Sequence, residues 1–418
     1  MKAIVLAGGI SQAELIKDLK KRGIFTVLVD RNPKAYAVPY ANKFYPISTM
    51  DIDAVKQLAI DEKADLVITA CADQVLLVSA KVSEDLGLPC YIDYNTAKLV
   101  SDKKYMKAIF KESGVPTADY VVMEKLDEEK LKGFEYPLIV KPVDCYSSRG
   151  VRKVENIDEL RTAFKEAVEF SRSKNAIVED FCEGVEVSSD AIVDENGKAT
   201  VLTYSYNEKI EESDKFVICR QYKIPDVSNT LKERIEDALQ KIANGFHLKN
   251  TPMFAQMIYD GSKIRVLEFC ARTGGCVKFR MAKLECGVDF VSAVVDLTLG
   301  IKPQIGEIKE QYKYVVNTFL YCKPGVVDHF EGKNELLASG TAYAIDQFTA
   351  SGTEFSGRVT CSGDRVGCYT VVGDTEEEVN NKNQKIMDTL KVIDVDGKDM
   401  LRHDLLKKLS YGSDHMHY

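Results

Sequence analysis

No run of residues in this chain approaches the ~20 consecutive apolar positions that a bilayer-spanning helix needs, which excludes a helical membrane protein. No CxxC occurs either. The eleven cysteines are spread over 418 residues at spacings that fit neither a zinc site nor a disulfide framework. They read as reduced thiols of a cytoplasmic protein. Positive charge is not in excess: 56 Lys and Arg face 64 Asp and Glu, for a net charge of −8. The basic face that nucleic-acid binding requires is therefore not expected. GxGxxG is missing as well. The Gly8-Gly9 turn in GGISQAE offers backbone N–H groups to an anion at a helix start, but without the dinucleotide fingerprint. Internal repeats and low-complexity tracts are not visible, and MKAIVLAGG, ending in a glycine pair and a helix start, does not read as a secretion signal.

What is present has the balance of a globular protein, 45% hydrophobic and 29% charged, and a length that implies two to four domains. Through the first hundred residues, AIVLAG (3–8), FTVLVD (25–30) and ADLVITAC alternate with helical patterns. That alternation predicts a parallel sheet with right-handed crossovers. Ser11-Gln12-Ala13-Glu14 reads as a capping box, Ile10 and Leu15 as a hydrophobic staple, and Gly23 as the helix end.

The pattern changes after the helical SDKKYMKAIFKESGVP (101–116). YPLIVKPVDCYSSRGVRKV (136–154) predicts strand, small polar loop and strand. A helix near 157–173 follows, then strands AIVEDF (176–181) and VEVSSDAIV (185–193), with DENG as a hairpin turn. NTLKERIEDALQKIANGF reads as a helix, and FAQMIYD with KIRVLEFCA as a hairpin around Asp260-Gly261-Ser262. A strand-rich stretch after 310 ends in a helix capped by Asp374 or Thr375.

Chemistry concentrates in VLEFCARTGG (266–275). Side chains two apart on a strand share a face, so Glu268, Cys270 and Arg272 are expected together. The alternative is an edge strand with a solvated face and a Gly-Gly turn. A three-residue turn is expected to set Gln256 opposite Glu268, and a slip of one residue would put it on the other face. Oxygen ligands of this kind suit Mg²⁺, and Arg272 suits a carboxylate or phosphoryl group gripped by two hydrogen bonds. Lys141 ends the apolar YPLIV, where it is either a buried ammonium needing an anion or a surface lysine snorkelling to water. Glu179 ends AIV, and Glu186 shares a face with Ser188 and Asp190. Ser147-Ser148-Arg149-Gly150 has the hydroxyls and backbone freedom of a phosphate-covering loop.

In order and spacing these pieces resemble the ATP-grasp superfamily, especially its carboxylate–amine ligases and its biotin carboxylase and carbamoyl phosphate synthetase relatives. The resemblance implies an α/β and α+β architecture: a Rossmann-like, parallel-sheet pre-ATP-grasp domain (1–100), an ATP-grasp N-lobe with a phosphate lid (101–184), a C-lobe with metal and catalytic residues (185–310), and a small strand-rich cap (311–418). It implies ATP and Mg²⁺ (or Mn²⁺) as cofactors. Lys103 and Lys141 would then meet the phosphates, and Ser147, Ser148, Arg149, Gly150 and Val151 would form the lid. Glu179, Asp180 and Phe181 would line the adenine, Glu186 would hold the ribose, Gln256 and Glu268 would bind metal, and Arg272 would stabilise the acyl phosphate. Where the family has Asn this chain has Cys270. Cys270 thus falls at a metal-ligand position, but a thiolate is a soft, poor ligand for Mg²⁺. Either a second metal is held by fewer protein ligands, with water or phosphate completing its shell and Cys270 neutral, or Cys270 lines the pocket. None of the five histidines is near it in sequence to act as a base, which argues against nucleophilic cysteine chemistry.

The implied reaction is ATP-dependent activation of a small-molecule carboxylate, with transfer to an amine. Alternatives are a bicarbonate-activating carboxylase and a nucleotide-binding module without chemistry. Lys209, Arg220, Lys278 and Arg280 lie where relatives approach the acceptor, though each alone reads as a solvated residue. Asp73, at a strand's C-terminal end, is placed to meet an amine. The C-terminal segment implies packing and a homodimer contact. His415 and His417 sit in a polar tail and are not expected to bind metal.

Overall fold

The computed structural model describes residues 1–145, 149–210, 216–303, 305, 308–407 and 409. Strands Lys43–Tyr45, Phe25–Val29, Lys2–Leu6 and Leu66–Ile68 form, in that order, a wholly parallel sheet. Its strands are apolar at nearly every position because helices cover both faces. Ala3, Val5 and Leu28 pack towards helix Ile10–Lys21, while Ile4, Val27 and Val29 pack towards helices Ile52–Asp61 and Asp73–Leu86.

The expected capping box is not formed. The first helix begins at Ile10 with Gly9 as its cap, and Ser11 Oγ donates instead to Cys276 O at 2.6 Å. With Ile10 already inside the helix, the staple geometry is lost too. Gly23 does close this helix, at φ +73°, a conformation that costs glycine little.

An antiparallel sheet follows, in the order Tyr120–Met123, Ala176–Asp180, Leu138–Pro142, Arg152–Val154. Helix Ile157–Phe170 covers it with Leu160, Ala163, Phe164 and Ala167. These recur at the three- and four-residue spacing of one helix face, and Asn156 caps the helix by accepting from Glu159 N.

The largest sheet among the described residues has nine strands. It runs Ile264–Cys270, Thr251–Tyr259, Val185–Val193, Ser205–Lys209, Ile218–Lys223, Tyr314–Leu320, Gly367–Gly373, Ala344–Gln347, with Ala199–Val201 added beside Val185–Val193. Asn317 pairs with Gln221, so the C-terminal strands extend the sheet that holds Glu186 and Glu268. One face is apolar: Val187, Ala191, Met253, Ala255, Met257, Val266 and Phe269 pack against Leu231, Ile235, Leu239 and Ile242 of helix Asn229–Gly245. Each of the Val, Leu, Ile, Met and Phe side chains among them, fully buried, contributes roughly 1.5–3 kcal/mol. That seam sets the sheet's orientation and turns its polar face towards the antiparallel sheet and the N-terminal region.

Thr375, not Asp374, caps helix Glu376–Thr389. Among the described residues no helix is long and apolar enough to cross a membrane.

Candidate active site

The hairpin joins Thr251–Tyr259 to Ile264–Cys270, and Gln256 lies opposite Glu268 as the sequence led us to expect. The route differs. Tyr259 pairs with Ile264, so four residues turn the hairpin, and the register shifts between Met257↔Val266 and Gln256↔Glu268. Leu267 is the extra residue of a bulge, a device that re-aims the side chains beyond it. Ile264, Val266, Phe269 and Ala271 consequently all enter the apolar core, and Glu268, Cys270 and Arg272 take the opposite, polar face.

On that face every candidate charge meets a counter-charge. Lys103 Nζ lies 2.9 Å from Glu268 Oε2 and donates to Cys145 O at 2.9 Å. Burial alone would lower the Lys103 ammonium, but Glu268, and beyond it Asp73, raise it above its usual range. Gln256 Nε2 donates to Glu186 Oε1 at 2.7 Å, and Asn207 Nδ2 to the same oxygen at 2.9 Å. Lys209 Nζ holds Glu186 Oε2 at 2.8 Å. Ser188 and Asp190 share the face with Glu186; Asp190 Oδ1 accepts from Gly274 N at 3.0 Å, behind the arginine.

Arg272 is 9% exposed. Its Nε and Nη2 donate to Asp73 Oδ1 and Oδ2 at 2.7 and 2.5 Å, and Nη1 donates to Thr273 O at 2.6 Å. Desolvation works to raise the Asp73 carboxyl, yet the Arg272 charge outweighs it and lowers it below the usual range. Asp73 is thus the first residue of helix Asp73–Leu86 and already paired, not an open partner for an amine. Burial pushes the Cys270 thiol well above its usual range, so it stays protonated.

Across the cleft, Lys141 Nζ ion-pairs with Glu179 Oε1, and Lys107 Nζ sits 3.0 Å from Glu179 Oε2. Lys107 also donates to Thr117 Oγ1 at 2.5 Å. Burial by itself would raise the Glu179 carboxyl; Lys107 and Lys141 together reverse this and hold it at about 2. Lys141 shifts the other way from what one pairing predicts. Burial lowers it and Glu179 does not fully compensate, because Lys107 and Lys103 stand close by. One carboxylate is shared by two ammoniums. Lys141 is therefore the buried cation of the two readings, not a snorkelling one.

Lys107 was missed by the sequence reading. Its signal was there: in KKYMK it is four residues after Lys103, on the same helix face. Asp180 N donates to Asp119 O at 3.1 Å, and Phe181 stacks under Lys153 at 4.6 Å. Gly150, at φ +73°, has no room for a Cβ against Pro142. Arg149 packs over Phe170 at 5.9 Å, and Val151 adjoins strand Arg152–Val154. Ser147, Ser148, His415 and His417 lie outside the described residues.

Of the four basic residues near the acceptor side, Lys278 and Arg220 are buried, contrary to expectation, while Lys209 and Arg280 are half-buried and ion-paired. Lys278 is 1% exposed, 3.7 Å from Asp190 and 3.9 Å from Glu285. Arg280 binds Asp346 at 2.6 Å. Arg220 sits on the other face of the sheet with Tyr222, paired to Glu208 at 3.0 Å, and so does not join the site. The alternation that decides this was readable only once the strand pairing was known. Among the described residues, no three His, Cys, Asp or Glu side chains converge as a metal site by themselves.

Residues 134–279 match a family described as ATP-grasp domain. The chain is 21% identical to phosphoribosylamine–glycine ligase of Methanococcus maripaludis, over 98% of both chains. It is 24% identical to the mitochondrial ammonia carbamoyl-phosphate synthase of Homo sapiens, where the match spans 68% of this chain but only 19% of that protein. Among solved structures, the biotin carboxylase domain dimer of Hydrogenobacter thermophilus 2-oxoglutarate carboxylase, complexed with MgADP and bicarbonate, superposes with a TM-score of 0.80. It is 17% identical, over 97% of this chain and 92% of that one. With a parallel N-terminal sheet, two facing antiparallel sheets and homologues among carboxylate–amine ligases, carbamoyl phosphate synthases and biotin carboxylases, the chain belongs to the ATP-grasp superfamily of ATP-dependent ligases.

Proposed function

We propose that this protein activates a small-molecule carboxylate as an acyl phosphate at the expense of ATP and transfers the acyl group to an amine, releasing ADP and phosphate. The observation that carries this reading is the polar face on which Gln256, Glu268 and Arg272 converge, opposite the buried Lys141 and the half-buried Lys103.

The charges suit the chemistry. ATP and a carboxylate repel, so cations must neutralise both before oxygen attacks the γ-phosphorus. Lys103 and Lys141 are the assigned phosphate ligands, Glu186 the assigned ribose ligand, and the strand end Glu179–Phe181 the assigned adenine wall. For Mg²⁺, the Glu268 carboxylate and the Gln256 amide oxygen fit an ion that takes a few protein oxygens and completes its shell with phosphate and water. Cys270, kept protonated by burial, is left out of that shell. Bound there, the metal would neutralise phosphate charge. Lys103, which ion-pairs with Glu268, would hold a phosphate oxygen beside it. Arg272 is assigned to the acyl phosphate, and Ser147 to Val151 to excluding the water that would hydrolyse it. Similarity to a phosphoribosylamine–glycine ligase along nearly the whole chain supports a C–N ligase over a carboxylase. The homologous domain dimer supports a homodimer.

The test is phosphate release from MgATP, screened against pooled amino acids, dipeptides and amino sugars. Release that requires both a carboxylate and an amine is expected. Release driven by bicarbonate alone, or MgATP binding without turnover, would replace this reading with one of its alternatives.

A further inference from the structure

Arg272 and Asp73 are 199 residues apart in sequence and meet as a two-pronged pair, Nε to Oδ1 at 2.7 Å and Nη2 to Oδ2 at 2.5 Å. A guanidinium has five N–H groups in a rigid plane. Asp73 takes two, and Thr273 O takes one from Nη1 at 2.6 Å. The two that remain belong to Nη1 and Nη2, one each. Asp73 occupies the Nε–Nη2 edge, so the Nη1–Nη2 end is the other edge of the plane on which an oxyanion can be met.

The carboxylate that holds the arginine is itself held. Asp73 opens helix Asp73–Leu86, whose N-terminal dipole favours a negative charge there. The same N-terminal region fastens the segment around Arg272 at three further points. Tyr91 Oη donates to Ala271 O at 3.0 Å, Thr273 Oγ1 donates to Ala70 O at 3.0 Å, and Ser11 Oγ donates to Cys276 O at 2.6 Å. A ring of contacts from residues 11, 70, 73 and 91 thus surrounds residues 271–276.

We infer that Asp73 is a positioning residue for the reaction proposed above. It clamps one edge of the Arg272 guanidinium so that only the opposite Nη edge meets the reacting carboxylate or phosphoryl oxygens, which makes the N-terminal parallel-sheet region part of the active site. This rests on the assignment of Arg272 to that oxyanion. The clamp has a signature that a merely structural contact lacks. Asp73 is also a negative charge beside an anion site, so it weakens resting anion affinity while improving alignment. Removing the charge separates the two effects.

The experiment compares wild type with Asp73→Asn by two readouts that need no knowledge of the substrate. One is binding of inorganic phosphate in the presence of MgADP. The other is the rate at which phenylglyoxal modifies Arg272, followed by peptide mass mapping. In the variant, phosphate is expected to bind about tenfold more tightly, since a neighbouring charge in a low-dielectric site is worth at least that much. Arg272 is expected to react several times faster, with MgADP affinity unchanged. Once substrates are found, kcat should fall by about 10²-fold, the cost of a misplaced group, with no rise in KM for the carboxylate. Unchanged phosphate affinity together with unchanged Arg272 reactivity would overturn the inference, as would a loss confined to KM. Should Asp73→Asn not fold, Asp73→Glu keeps the charge and displaces the fork; it is expected to lower kcat while leaving phosphate affinity as in wild type, and normal kcat there would equally overturn it. Failure of wild type to bind MgADP is a different result: it removes the ligase reading, while the Arg272 reactivity still decides whether Asp73 holds the arginine.

Discussion

Replacing Glu179 by Gln would leave two buried ammoniums without a counter-ion. Glu179 is 2% exposed, and its oxygens face Lys141 and Lys107, themselves 6% and 0% exposed. Removing one partner of a buried pair costs about 3–5 kcal/mol because the remaining charge is stranded out of water. The titration of Glu179 leads to the same scale. Its carboxyl drops from an ordinary 4.5 to about 2 in the folded protein, which is roughly 3 kcal/mol of preference for the charged form. Because the folded value lies below the unfolded one, this stabilisation is complete above about pH 4.5 and is lost as the pH falls towards 2. Lys141, lowered by burial, works in the opposite sense, so the net loss should sit near the lower end of the range. The assay is hydrogen exchange of strand Leu138–Pro142, with urea unfolding at pH 7 and pH 3 alongside. We expect Glu179→Gln to lower local stability by about 3 kcal/mol at pH 7 and to differ much less from wild type at pH 3. Adding Lys141→Met should recover part of the loss. A change under ~1 kcal/mol at pH 7, or one that does not shrink with acid, would refute the shared-carboxylate account.

Arg272→Ala should bind MgATP nearly as wild type while product formation falls ~10²–10³-fold, the usual cost of one positioned charge; retained turnover would discard its assigned role. Cys270, buried and with its thiol pushed well above the usual range, should resist iodoacetamide at pH 8 in the folded protein and react once urea unfolds it. Rapid alkylation of the native protein at that residue would contradict this.

Periodicity carried much of this molecule into view. Strict apolar runs separated by helical patterns identify the N-terminal parallel sheet, because a sheet covered on both faces needs apolar residues at every position. The alternation in VLEFCAR identifies a shared face for Glu268, Cys270 and Arg272, since a strand repeats every two residues. Even there the agreement with Gln256 depended on a four-residue turn and the Leu267 bulge, neither of which composition signals. Ser11 shows how a local motif is overridden: its hydroxyl had a cap to make, and a carbonyl 265 residues away took it. Lys278 and Arg220 read as solvated because a lone charge usually is, and both are buried beside an acid on a separate strand, Asp190 and Glu208.

Sequence by itself therefore determined which segments are strands and helices, which of their faces are polar, and which charged residues interrupt apolar strands. All of these depend on periodicity and local chemistry within a dozen residues. Only the tertiary structure decided that Lys107 joins Lys141 at Glu179, that Asp73 grips Arg272, and that strands after residue 310 complete the same sheet as Glu186. Those outcomes depend on which buried charge finds which opposite charge across separate sheets, and desolvation enforces that pairing only after the chain has brought them together.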